Sequence, residues 1–157
     1  LWLPFCMAER CLANWWRFTD SPKDHALIRM VCSSLATNLW KLYELLKHFG
    51  KEVHDSGETH CSRANAIKKI IEEKDIYGFR SKYAAHAIDN DTKLPLSLAA
   101  GEQRIRSIFG ETIGEMNAFC SWVCPEIGER KEESVTRFIV DFRDYCRANS
   151  GAHSDRP

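Results

Sequence analysis

Apolar residues recur along most of this chain at steps of three and four, the period of an amphipathic helix, and nowhere in the alternation bounded by hairpin turns that marks a strand. Asp20-Ser21-Pro22 supplies a capping side chain followed by proline in a first turn, where a missing N–H costs nothing. A long helix is predicted from there, carrying Ile28, Cys32, Leu35, Leu39, Leu42, Leu46 and Phe49 on one stripe, with Gly50 as its stop. A second long stripe runs through Ile105, Ile108, Thr112, Met116, Phe119 and Val123 and ends before Pro125; it is expected to pack on the first.

Between these stripes, Ser62 to Lys74 and Ile76 to Asn90 read as two helical pieces, or one bent helix, with Asp75 and Gly78 near the junction. Met7 to Phe18 suggests a short helix with a broad apolar face of Cys11, Leu12, Trp15, Trp16 and Phe18. Val135, Phe138, Ile139, Phe142 and Tyr145 mark a last amphipathic helix. His48 to His60 and Asp89 to Leu98 are polar connections, and residues from Asn149 onward are expected to form a mobile tail. The fold class is all-α, an antiparallel bundle of four to five helices with typical crossing angles of about 20°.

At 157 residues, 44% of them hydrophobic, the chain has the material for one core and one domain, taken as 7–148. Met7 reads as a plausible natural start, with residues 1–6 expected to be upstream or added sequence. Lys and Arg together number 22, as do Asp and Glu, so no bulk field draws the chain to nucleic acid or an anionic membrane; any such contact must be local. No apolar run approaches the roughly 20 residues of a membrane span. Seven scattered cysteines without a C-x-x-C pair argue against a disulfide scaffold and for a reducing, cytoplasmic setting. Cys32 and Cys120 fall on apolar seams, where free cysteine behaves as a small hydrophobe.

The chemistry concentrates in Phe79-Arg80-Ser81-Lys82-Tyr83-Ala84-Ala85-His86. Arginine offers a permanently charged fork that matches phosphate oxygens, and histidine titrates closest to neutrality. The pair therefore suits phosphodiester chemistry without a metal. On an ideal helix six residues advance about 600°, which sets Arg80 and His86 roughly 120° apart. A symmetric dimer would close that gap by placing Arg80 of one chain near His86 of the other. Arg147 and His153 repeat the spacing in the C-terminal tail, so context rather than spacing singles out the first pair.

A helical bundle of this size, with Arg-x5-His on the helix before the polar turn Asp89-Asn90-Asp91, resembles the HEPN superfamily (higher eukaryotes and prokaryotes nucleotide-binding), in its abortive-infection and toxin-like branch. The likeness covers Asp20 to Val123. It implies a homodimer in which two motifs meet in one cleft, and a metal-independent endoribonuclease of toxin–antitoxin or phage-defence type that needs no cofactor. Ser81 stands where many active members carry Asn, Asp or His. Arg80 and His86 would be catalytic; Ser81, Lys82 and Tyr83 would contact the RNA substrate. The implied partner is an antitoxin protein such as a small nucleotidyltransferase. The alternative is a catalytically silent helical module that binds nucleotide or a protein partner through the same surface.

Plainer readings stand beside these. Arg80 could pair with Asp75, Asp89 or a carboxylate on a neighbouring helix. His48, His54, His60 and Cys61 are the densest set of metal-capable side chains, but their spacing fits a solvated loop better than a zinc site. Cys120 and Cys124, four apart, suit a buried seam. Trp15, Trp16 and Trp40 could stack bases, although tryptophans on amphipathic helices more often fill cores. The cations Lys68, Lys69, Lys74, Arg80, Lys82 and Lys93 are offset by Glu72, Glu73, Asp75, Asp89 and Asp91.

Overall fold

The computed structural model describes residues 22–81, 98–125 and 131–150, and over these the protein is all-α, with seven helices and no strand among the described residues. The expected helix over Met7–Phe18, the continuation of the second piece from Lys82 to Asn90 and the connection over 89–97 lie outside the described residues.

Helix α1 (Pro22–His48) is the longest element, and Cys32, Leu35, Ala36, Leu39 and Leu46 form its buried stripe. The helix ends close to the expected stop, but Gly50 itself does not make it. A glycine stop relies on the left-handed backbone that glycine adopts cheaply, and Gly50 does not take up positive φ. The chain turns instead at Phe49 (φ −95°, ψ 30°) and enters a short helix, α2 (Gly50–Asp55), anchored by buried Val53. Most of the expected His48–His60 loop is therefore helical, with Val53 the side chain that this turn buries in the core. Gly57, at φ 108°, makes the left-handed turn into α3 (Glu58–Glu73).

Ala64, Ile67 and Ile71 bury one face of α3, and Ile76 and Phe79 bury the short α4 (Ile76–Phe79). Two further helices, α5 (Leu98–Phe109) and α6 (Ile113–Val123), replace the single stripe expected across this region. Thr112 is not a stripe residue but the cap of α6. Its hydroxyl accepts from the Glu115 backbone N–H at 3.2 Å, and the Glu115 carboxylate accepts in return from the N–H groups of Thr112 at 3.0 Å and Glu111 at 2.9 Å. These bonds hold the Glu115 carboxyl below its ordinary range.

The last helix, α7 (Val135–Ser150), extends through Asn149 and Ser150, beyond the expected start of the tail. Buried Ser134 begins it, accepting from the Arg137 N–H at 3.3 Å, so its polar atom is not left unpaired in the core. Helix α1 touches α2, α3, α4 and α5, while α3 packs on α7, α4 on α5, and α6 on both α5 and α7. One contiguous core results, with Phe79, Phe109 and Phe138 among its largest fully buried side chains. On the α3–α7 contact, Asp141 accepts from Arg63 at 2.8 Å and Arg137 at 3.0 Å.

Cys32 and Cys120 are both buried. Burial, and then the nearby Cys120 thiol, push the Cys32 thiol far above its ordinary value, so it packs as a neutral group. No helix among the described residues is long and apolar enough to cross a membrane.

Candidate functional site

The segment that leads into Arg80 is fixed by Asp75. This residue sits in the left-handed region (φ 46°, ψ 45°), which Asp tolerates better than most side chains because its carboxylate can bond to nearby backbone. Its Oδ1 accepts from the Gly78 N–H at 3.2 Å, and its Oδ2 pairs with Arg104 of α5. A Cβ on residue 78 would come within 2.5 Å of the Asp75 carboxylate, so glycine there lets the cap close.

Below this cap Ile76 and Phe79 are buried at 0% and 1% exposure, which turns the opposite face of α4 outward. Tyr77 lies on that face and is 52% exposed. Arg80 follows in helical backbone (φ −57°, ψ −46°), its N–H donating to the carbonyls of Ile76 and Tyr77. The Ser81 hydroxyl donates to the Gly78 carbonyl at 3.2 Å, so its hydrogen would have to rotate away to meet a phosphate.

Arg80 is partly exposed, and among the described residues no carboxylate pairs with it. Asp75, the acid nearest in sequence that could have neutralised it, is engaged by Arg104. Of the site residues expected from sequence, Arg80 and Ser81 are brought to the same turn; His86, Lys82 and Tyr83 lie outside the described residues.

An aromatic group adjoins the turn. The Trp40 ring of α1 stacks with Tyr43 at 4.7 Å and 19°, and meets Tyr77 at 4.8 Å and 44°. The Tyr43 hydroxyl donates to Glu72 at 2.5 Å. That bond, together with lesser burial and the Glu72 charge, raises the Tyr43 pKa and keeps the phenol neutral. The Trp40 indole N–H is buried and has no hydrogen-bond partner among the described residues. Sequence reasoning named Trp40 but not Tyr77, whose signal was its place three residues before Arg80 and beside Gly78.

Beside Trp40 the open face of α1 carries Lys41, Glu44, Lys47 and His48. A separate apolar groove of about 270 Å³, between the end of α1, α2 and α7, is lined by Leu42, Leu45, Phe49, Ile139 and Phe142 among others.

The histidines of the sequence's densest metal-capable set diverge. His48 packs edge-on against Phe49, His60 faces Phe142 and Tyr145, and His54 Nδ1 lies 4.0 Å from Cys61 Sγ. No three metal-capable side chains converge among the described residues. Cys32, Cys61, Cys120, Cys124 and Cys146 carry free thiols.

No family model, curated protein or solved structure matches the chain. The functional reading therefore rests on the residues and their geometry.

Proposed function

We propose that this protein is a metal-independent endoribonuclease of HEPN type, a cytoplasmic homodimer of antiparallel helical bundles that serves in toxin–antitoxin or phage defence. The observation that carries the reading is Arg80: a part-exposed cation at the end of a short helix, with its nearest acid in sequence held by Arg104 and no carboxylate pairing with it among the described residues. An arginine that receives phosphate must keep its donors available, as Arg80 does among the described residues.

In the reaction, the ribose 2′-oxygen attacks the adjacent phosphorus while one His86 accepts its proton and the second His86 donates a proton to the departing 5′-oxygen. Arg80 stabilises the negative charge that grows on the non-bridging phosphate oxygens. The products are a 2′,3′-cyclic phosphate and a 5′-hydroxyl end. Lys82 and Tyr83 contribute contacts to backbone or ribose, and Ser81 does so once its hydroxyl turns from Gly78. An antitoxin, such as a small nucleotidyltransferase, restrains the enzyme.

The test is cleavage of a single-stranded RNA in the presence of a chelator. His86→Ala should lower the rate by about 10²–10⁴-fold and Arg80→Ala by a comparable factor, with helical content unchanged. Full activity in either variant rejects the mechanism.

A second reading, a silent module that binds a protein partner, is favoured by the apolar groove between α1, α2 and α7, where Leu45 and Phe49 remain 45% and 44% exposed. It would show as no cleavage by the wild-type chain together with loss of partner binding on Phe49→Asp.

A further inference from the structure

We infer that Tyr77 and Trp40 form a base-stacking platform that holds an unpaired nucleic-acid strand beside Arg80. The inference deepens the nuclease reading and rests on it for the role of Arg80, but the platform stands on its own geometry.

Three aromatic rings from two helices gather at this place, with Tyr43 and Tyr77 centred 4.7 Å and 4.8 Å from Trp40. The Tyr43 ring is pinned by its bond to Glu72. Tyr77 is different: it carries half its surface in water, at 52% exposure, although its helix buries both Ile76 and Phe79. An aromatic ring held against a fixed indole yet left half wet is a ready surface for one more ring. Nucleobases stack on such rings regardless of sequence because every base has a π-face.

The charges fit a strand better than an apolar partner. Tyr77 and Arg80 are three residues apart, so their Cβ atoms lie about 5–6 Å from each other on a helix. A base stacked on Tyr77 would therefore bring its phosphate within reach of the guanidinium. Two of the acids nearby are matched by cations, Asp75 by Arg104 and Glu73 by Lys69 at 3.7 Å, while Glu72 keeps its charge and is held on the Tyr43 side of the group by the phenol. The adjoining face of α1 presents Lys41 and Lys47 against Glu44. Neither lysine has an ion-pair partner among the described residues. Duplex bases are already stacked on each other and present only their edges, so the platform selects unpaired strands.

Binding of dye-labelled 12-nucleotide strands, followed by fluorescence anisotropy at low salt, tests the platform. Single-stranded DNA lacks the attacking 2′-OH, so its affinity reports stacking without cleavage. Tyr77→Ala should weaken binding of both single strands about tenfold. Tyr77→Phe and Tyr77→Trp should stay within about twofold of wild type, while Tyr77→Leu, apolar but not aromatic, should not recover. Wild-type affinity in Tyr77→Ala, full recovery in Tyr77→Leu, or no binding of any single strand by the wild-type protein overturns the platform. A shift of Tyr77→Ala from dimer to monomer in sedimentation, with strand affinity unchanged, also overturns it and makes the face a subunit contact. Retained cleavage in His86→Ala with Tyr77-dependent DNA binding intact rejects the nuclease mechanism and leaves the platform.

Discussion

Two helix breaks in this molecule do the same geometric work by opposite means. At Gly110, between α5 and α6, the backbone reaches φ 124° and a Cβ would lie 2.5 Å from the Glu115 Cβ and 2.8 Å from the Met116 nitrogen. The turn exists because a side chain is missing. At Asp75, between α3 and α4, the backbone is also left-handed, yet a side chain is present and is what holds the turn: Gly78 N–H on one oxygen, Arg104 on the other. The Gly110 turn is closed by atoms within a few residues, including the Thr112–Glu115 box. The Asp75 turn draws on an arginine 29 positions away. A local break of the first kind only shapes the core, whereas the second ties the approach to Arg80 to another helix.

The sharpest way to break the comparison is Gly110→Ala. It adds a methyl where backbone atoms already stand and forces a non-glycine residue into an unfavourable φ, so a loss of about 2–4 kcal/mol is expected. Urea unfolding measures it, and a loss below about 1 kcal/mol would mean that the turn repacks freely.

Asp75→Ala should cost less globally, about 1–2 kcal/mol, since it removes a cap bond and leaves alanine in left-handed backbone. The ion pair with Arg104 adds little, because Asp75 and Arg104 side chains are 55% and 35% exposed. The effect should be concentrated locally, as faster amide exchange at Phe79 and Arg80. Asp75→Gly should regain part of the stability by relieving the backbone but not the slow exchange. Equal stability in the two variants would show that backbone strain plays no part at residue 75.

The smallest effect is expected at the capping box, where Thr112→Ala should cost about 1 kcal/mol. Its acid dependence supplies a second reading. The Glu115 carboxyl is lowered from its ordinary 4.5 by hydrogen bonds that need the carboxylate. Its contribution is therefore fully present above pH 4.5 and is lost as pH falls through the lowered folded value. Thermal melts of Glu115→Gln should consequently depend less on pH below 4.5 than those of the wild type; parallel curves would remove the carboxylate from the cap.

The sequence was most readable where one face of one helix had to be buried. Cys32, Leu35, Leu39 and Leu46 fell on the predicted stripe of α1, and Val135 and Phe138 on that of α7, because a stripe at helical period has one way to leave water. The helix ends were less readable. Gly-x-Thr-x-x-Glu over 110–115 is a legible capping signature, yet the apolar spacing of Ile108 and Met116 runs across it and suggests one helix. Gly50 looked like a stop because glycine often is one, but the chain is helical again on its far side, where Val53 is buried. Around the candidate site, Arg80 and Ser81 stood out by residue type, while Tyr77 did not, since a tyrosine beside an apolar run looks like core until neighbouring helices show which of its faces stays wet.

The sequence by itself determined that the described residues are helical and which positions of α1 and α7 enter the core, since each follows from local period. Only the tertiary structure decided that Asp75 belongs to Arg104 rather than Arg80, and that Tyr77 faces Trp40 at the surface. Both depend on helices distant in sequence meeting in space, and a carboxylate or a ring takes whichever partner that packing delivers.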